Sequence, residues 1–183
     1  ICCVMVLSGV LFADASSTEV KGHWAETVLT EWTNKGYITT PITQVRPNDY
    51  ITRAQLVKYI NTAYGFDELV EISFTDVNET DPYYEDVQKA VKAGYTNGVG
   101  DNRFNPDGLI KREEVFTMVA RLLDFSKSDN PDLISKYLDS QDVSPWAIDA
   151  FKNMIGKGYV IGSDNKLIPK KNMSLAEAIT FLD

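Results

Sequence analysis

The frame that runs from Trp24 to Arg53, with Pro47 six residues before the arginine, returns twice along the chain. Pro82 leads to Arg112 with Pro106 six before it, and Trp146 leads to Leu175 with Pro169 six before it. The spans are 29, 30 and 29 residues. Copies that hold such spacing while their residues drift are one supersecondary unit used three times, each leaving an apolar face for a neighbour to cover. A site is therefore expected between copies rather than within one.

Each unit reads as helix, loop, helix. The first helix carries apolar residues at i, i+4 and i+8: Trp24, Val28 and Trp32; Tyr83, Val87 and Val91; Trp146, Ala150 and Met154. That is the stripe of an amphipathic helix, and it places Trp24 and Trp32 in the core. Gly36, Gly94 and Gly158 stand where a left-handed cap would end these helices. The loops, 37–50, 95–109 and 159–172, each hold an apolar residue two before the proline: Val45, Phe104 and Leu167, expected to plug the core. The second helices follow at 53, 112 and 175, and the polar stretch 126–131 reads as a linker.

With 183 residues and 44% apolar content the chain can bury a core as one domain or as three cooperating units. A net charge of -8 with no Lys/Arg stripe excludes nucleic acid as partner. Residues 1–12 are apolar and lead into Ala13-Asp14-Ala15, so residues 1–15 read as the tail of a secretory signal that lacks its start, with a mature chain from Ser16. Twelve residues are too few to span a membrane. Cys2 and Cys3 both fall in this segment, which leaves the mature chain without disulfide or thiol chemistry.

Thr52-Arg53-Ala54-Gln55 and Ser174-Leu175-Ala176-Glu177 fit capping boxes, and Glu114 fits one in part. Capping leaves Arg53 and Arg112 unexplained, because a cation in the first turn opposes the helix dipole by about 0.3–1 kcal/mol. Each needs an anionic partner. One candidate is a carboxylate of a neighbouring unit, such as Asp76 or Asp139, which would make the arginines staples; the other is an anionic ligand held by the guanidinium fork.

Taken together, Gly22-His23-Trp24-Ala25 with Ile51-Thr52-Arg53-Ala54-Gln55, Phe74-Thr75-Asp76-Val77 with Phe104-Asn105-Pro106 and Ile110-Lys111-Arg112-Glu113-Glu114, and Leu138-Asp139 with Ser144-Pro145-Trp146-Ala147 and Ser174-Leu175-Ala176-Glu177 resemble the S-layer homology family. The resemblance implies an all-α fold, in which three helix-loop-helix repeats (16–66, 67–128 and 129–183) form a pseudo-threefold spindle around a central three-helix bundle. It implies a secreted, noncatalytic module at the bacterial surface that binds the pyruvylated N-acetylmannosamine end of peptidoglycan-linked secondary cell-wall polysaccharide in grooves between repeats. Carried over, Arg53 and Arg112 would meet the anion, Gln55, Glu114 and Glu177 the ring substituents, Ser144 and Trp146 the sugar, and the backbone at Gly98 would allow close approach. Leu175 removes the third arginine, so fewer than three working grooves are expected. Two rivals stand beside this reading: the anchoring end of a larger surface enzyme, with the chain continuing past Asp183, and a structural protein-interaction repeat that binds no glycan.

Catalysis and metals find little support. The segment from Asp101 has Arg103 at a ligand position and Arg112 where a calcium loop needs its glutamate. His23 is the sole histidine and reads as support for a helix start, while Glu113 and Glu114 are helix neighbours that point apart. No cofactor is called for.

Overall fold

The computed structural model describes residues 19–125 and 133–183, so the expected signal segment and the expected linker lie outside it. The described residues form six α-helices and no strand. They are α1 (Glu26–Asn34), α2 (Arg53–Tyr64), α3 (Tyr84–Lys92), α4 (Arg112–Leu122), α5 (Ile148–Gly156) and α6 (Leu175–Leu182). The odd-numbered helices end as the glycines require, with Gly36, Gly94 and Gly158 at φ of 77°, 80° and 79°.

The three second helices, α2, α4 and α6, are the inner ones. Their faces bury Leu56, Val57 and Ile60; Val115, Phe116 and Met118; and Ala178, Ile179 and Leu182. The Phe116 and Phe181 rings meet at 4.6 Å, and the Tyr64 hydroxyl donates to the Leu182 carbonyl at 2.9 Å. Each outer helix lies against the inner helix of the preceding unit: α3 on α2, α5 on α4, and α1 on α6. The last pairing closes the ring, and Trp32, itself buried, donates its indole N–H to Asp183 at 2.9 Å. The plugs behave as expected, since Val45, Phe104 and Leu167 are all buried.

Backbone hydrogen bonds at the axis state the symmetry directly. Ile51 N–H donates to Met173 O (3.2 Å), Met173 N–H to Ile110 O (2.9 Å) and Ile110 N–H to Ile51 O (3.0 Å), a closed cycle through all three units. The inner helices start by the same rule. Arg53 and Ala54 N–H donate to Gly108 and Pro106 O, Arg112 and Glu113 N–H to Lys171 and Pro169 O, and Leu175 and Ala176 N–H to Asp49 and Pro47 O, all at 2.9–3.1 Å. The proline-bearing loop of each unit thus satisfies helix-start donors of the unit before it.

Two expectations need correction. Trp24 is 63% exposed and is not core: α1 begins only at Glu26, and Trp24 sits in the preceding turn, off the helical stripe. That turn is held by His23, whose Nδ1 accepts from Ala25 N–H (3.1 Å) and whose Nε2 lies 3.2 Å from Asn48 Oδ1. Asp76 and Asp139 do not reach either arginine. Each carboxylate accepts two loop N–H groups at 2.8 Å, Phe104 and Asn105 for Asp76, and Leu167 and Ile168 for Asp139, which fixes the plug of its own unit.

Candidate functional site

The start of α2 faces the second unit. Arg53 is 5% exposed, and its guanidinium donates to Glu114 Oε1 at 3.0 Å, to Thr96 Oγ1 at 3.2 Å and more weakly to Gly98 O at 3.5 Å. Its plane lies over Phe104, 5.3 Å from the centroid, and its Nε has no partner. Burial lowers the Arg53 pKa most, the Glu114 charge raises it, and Arg121 lowers it again. Arg53 is thus an inter-unit staple, with Glu114 as the carboxylate in place of Asp76 or Asp139. Glu114 serves twice, because its Oε2 accepts the Lys111 N–H at 2.8 Å as the partial capping box requires.

The same contact recurs with graded charge around the ring. The full boxes are present at Thr52–Gln55 and Ser174–Glu177, so Gln55, Glu114 and Glu177 occupy equivalent positions. Arg112 makes no ion pair among the described residues; its guanidinium lies 4.7 Å from the Phe116 centroid and its Nε is buried without a partner. Burial lowers its pKa, opposed by the Glu177 charge. Burial also pushes the Glu177 carboxyl up, but hydrogen bonds from Lys171 (2.5 Å) and the Ser174 N–H, with the Lys171 and Arg112 charges, hold it below its usual range. At the third interface Leu175 shares a 240 Å³ recess with Gln55, Thr40 and Tyr59. Where the arginine is lost, its carboxylate partner is an amide, so no buried charge is left alone.

Four of the residues singled out by sequence, Arg53, Gly98, Glu114 and Trp146, line one 260 Å³ groove together with Val99, Thr117, Met118 and Arg121. All three units contribute. Gly98 has φ +83°, and a Cβ there would stand 2.4 Å from Arg103 O and 2.8 Å from the Phe74 ring, so this wall is backbone by necessity. Trp146 is 55% exposed at the mouth, on a turn ahead of α5. Ser144, two residues earlier, is committed elsewhere: its N–H and hydroxyl both donate to Glu113, at 3.1 and 3.2 Å. Glu113 is 2% exposed and takes Lys170 Nζ at 2.6 Å, so it and Glu114 do point apart.

Gln55, Arg112 and Glu177 therefore lie outside this groove, on the two other interfaces. From sequence Arg121 and Lys170 have no assigned role, and Glu113 figures only as a helix neighbour of Glu114. Arg121 was legible in principle, since it stands seven residues after Glu114, two turns along one helix face. Glu113 and Lys170 are far apart in sequence and meet only because the third unit's loop packs on the start of α4.

Residues 73–116 and 136–179 match the family model described as S-layer homology domain, so the second and third units carry that domain. Relatives similar to the chain over nearly its whole length include both S-layer proteins and enzymes. S-layer protein EA1 of Bacillus anthracis is 30% identical over 97% of the chain and 21% of its own length. Amylopullulanase of Thermoanaerobacterium thermosulfurigenes is 28% identical over 92% of the chain and 9% of its length, and exoglucanase XynX of Acetivibrio thermocellus is 27% identical over 96% and 16%. The chain thus spans about a fifth or less of these relatives.

Proposed function

We propose that the chain is a noncatalytic module of three S-layer homology repeats (16–66, 67–128 and 129–183) that anchors a larger secreted protein to a bacterial cell wall. Its ligand is secondary cell-wall polysaccharide, taken by its pyruvylated N-acetylmannosamine end. The shared stretch is a small part of relatives as different as an S-layer protein and an amylopullulanase, which favours an attachment role over a catalytic one. The first unit joins the closed hydrogen-bond cycle on equal terms with the second and third, which supports counting it as a repeat.

The observation that carries the reading is the groove lined by Arg53, Gly98, Glu114 and Trp146, which has an exposed indole for a sugar face and two cations against one carboxylate in a chain of charge -8. The Arg53–Glu114 pair favours a structural role for that arginine, but a purely structural repeat gives no reason for an exposed Trp146 beside an open groove. Co-sedimentation with purified, polysaccharide-bearing wall tests it. The intact protein should pellet with the wall, and Trp146→Ala, an exposed truncation expected to leave the unfolding midpoint unchanged, should pellet less by about tenfold. No sedimentation of the wild type, or undiminished sedimentation of the variant, would reject the groove as the site.

A further inference from the structure

Arg53 is an unpromising ligand-binding cation. Its Nη atoms are spent on Glu114, Thr96 and Gly98, and its remaining Nε–H is buried. An acidic ligand that used it would have to displace a carboxylate and open the joint between two units. The other cation of the same groove is differently placed. Arg121 lies in the last turn of α4, exposed, with one long hydrogen bond from Nη1 to Tyr95 O at 3.5 Å. A guanidinium carries five N–H donors in a planar fork, so most of Arg121's are uncommitted. It is near enough to Arg53 for the two charges to oppose each other, and Glu114 balances only one of them.

We propose that Arg121, not Arg53, receives the anionic group of the ligand in this groove, and that the ligand is an acidic saccharide whose carboxylate lies between Arg121 and the Trp146 edge. This rests on the groove being the glycan site. Arg53 then has a separate task, holding the second unit against the first so that Gly98, Arg121 and Trp146 keep their spacing. The third interface gives an internal contrast. There the positions of Arg53 and Arg121 are taken by Leu175 and Thr62, so that recess has neither of these two cations, and its Arg46 is paired with Glu19 at 3.0 Å.

Titration calorimetry on the whole chain tests this with two probes, methyl N-acetylmannosaminide bearing a pyruvate ketal and the same glycoside without it. The wild type should prefer the acidic probe. Arg121→Gln should lose about tenfold or more on the acidic probe and less than twofold on the neutral one, and Arg121→Lys should keep part of the preference. Arg53→Met, where it remains folded, should keep the preference. If Arg121→Gln binds the acidic probe as the wild type does, loses both probes equally, or if the wild type does not prefer the acidic one, the assignment of Arg121 is overturned while glycan binding stands. If the wild type binds neither probe, the glycan reading is overturned and this assignment with it.

Discussion

Arg53→Met removes a buried ion pair that joins two units and leaves the slot filled with an apolar side chain of similar length. Breaking a fully buried pair costs about 3–5 kcal/mol, most of it the desolvation of the partner left behind. Here the abandoned partner, Glu114, keeps 20% side-chain exposure and one backbone hydrogen bond, so it partly rehydrates and the cost falls to about 2–3 kcal/mol. Thr96, fully buried, loses the shorter of its two donors and keeps only the Gly98 N–H at 3.4 Å, which adds about 1 kcal/mol. Methionine packed against Phe104 returns about 1 kcal/mol. The balance is about 2–3 kcal/mol, or a Tm lower by roughly 4–12 °C for a chain of this size. Urea unfolding at neutral pH measures it, and a cycle with Glu114→Gln should show a coupling of about 1 kcal/mol or more. If Arg53→Met unfolds within about 0.5 kcal/mol of the wild type, the pair contributes nothing to the joint and the staple argument fails.

The remaining expectations concern loops and pH. Gly98→Ala should cost more than about 2 kcal/mol because its Cβ meets a carbonyl, whereas Gly100→Ala, also at positive φ but with no atom within 4 Å, should cost about 1 kcal/mol; equal costs would contradict the contact. Asp139→Ala should cost about 2–3 kcal/mol by releasing the Leu167 and Ile168 amides, and a thermal midpoint within a degree of wild type would oppose it. Glu177 has a folded pKa below its ordinary 4.5, so its contribution is complete above that pH and is lost as pH falls through the lower folded value. Glu177→Gln should therefore be less stable than the wild type at pH 7, with the gap narrowing toward pH 3, and a gap independent of pH would contradict it.

Spacing alone carried the fold a long way, because glycine caps, loop plugs and helix faces are local devices whose residues sit at fixed offsets. Trp24 was misplaced because periodicity cannot tell the first residue of a helix from the last residue of the turn before it. A cation at a helix start is the conflict that sequence exposes, and a carboxylate of a neighbouring unit is one of the two partners it leaves open, beside the ligand anion that the family resemblance implies. For Arg53 the partner is a carboxylate, but neither Asp76 nor Asp139. Asp76 and Asp139 are drawn to the unpaired amides of their own loops, while Glu114 is brought to Arg53 only by the packing of the second unit on the first. The matched change of Leu175 with Gln55 was visible as two separate substitutions, and only the shared recess shows them to be one.

The cycle from Ile51 through Met173 and Ile110 back to Ile51 makes the units interdependent in a way that an open stack is not. Excising any one of them would strip two neighbours at once: the inner helix of the preceding unit would lose both the carbonyls over its first amides and the outer helix against it, and the outer helix of the following unit would lose the inner helix it lies on. A fourth copy has no place to enter without breaking the circuit. Duplication and deletion, the usual means by which repeat arrays grow and shrink, are therefore closed to this architecture one unit at a time, and change is left to single residues at the seams, as at Leu175.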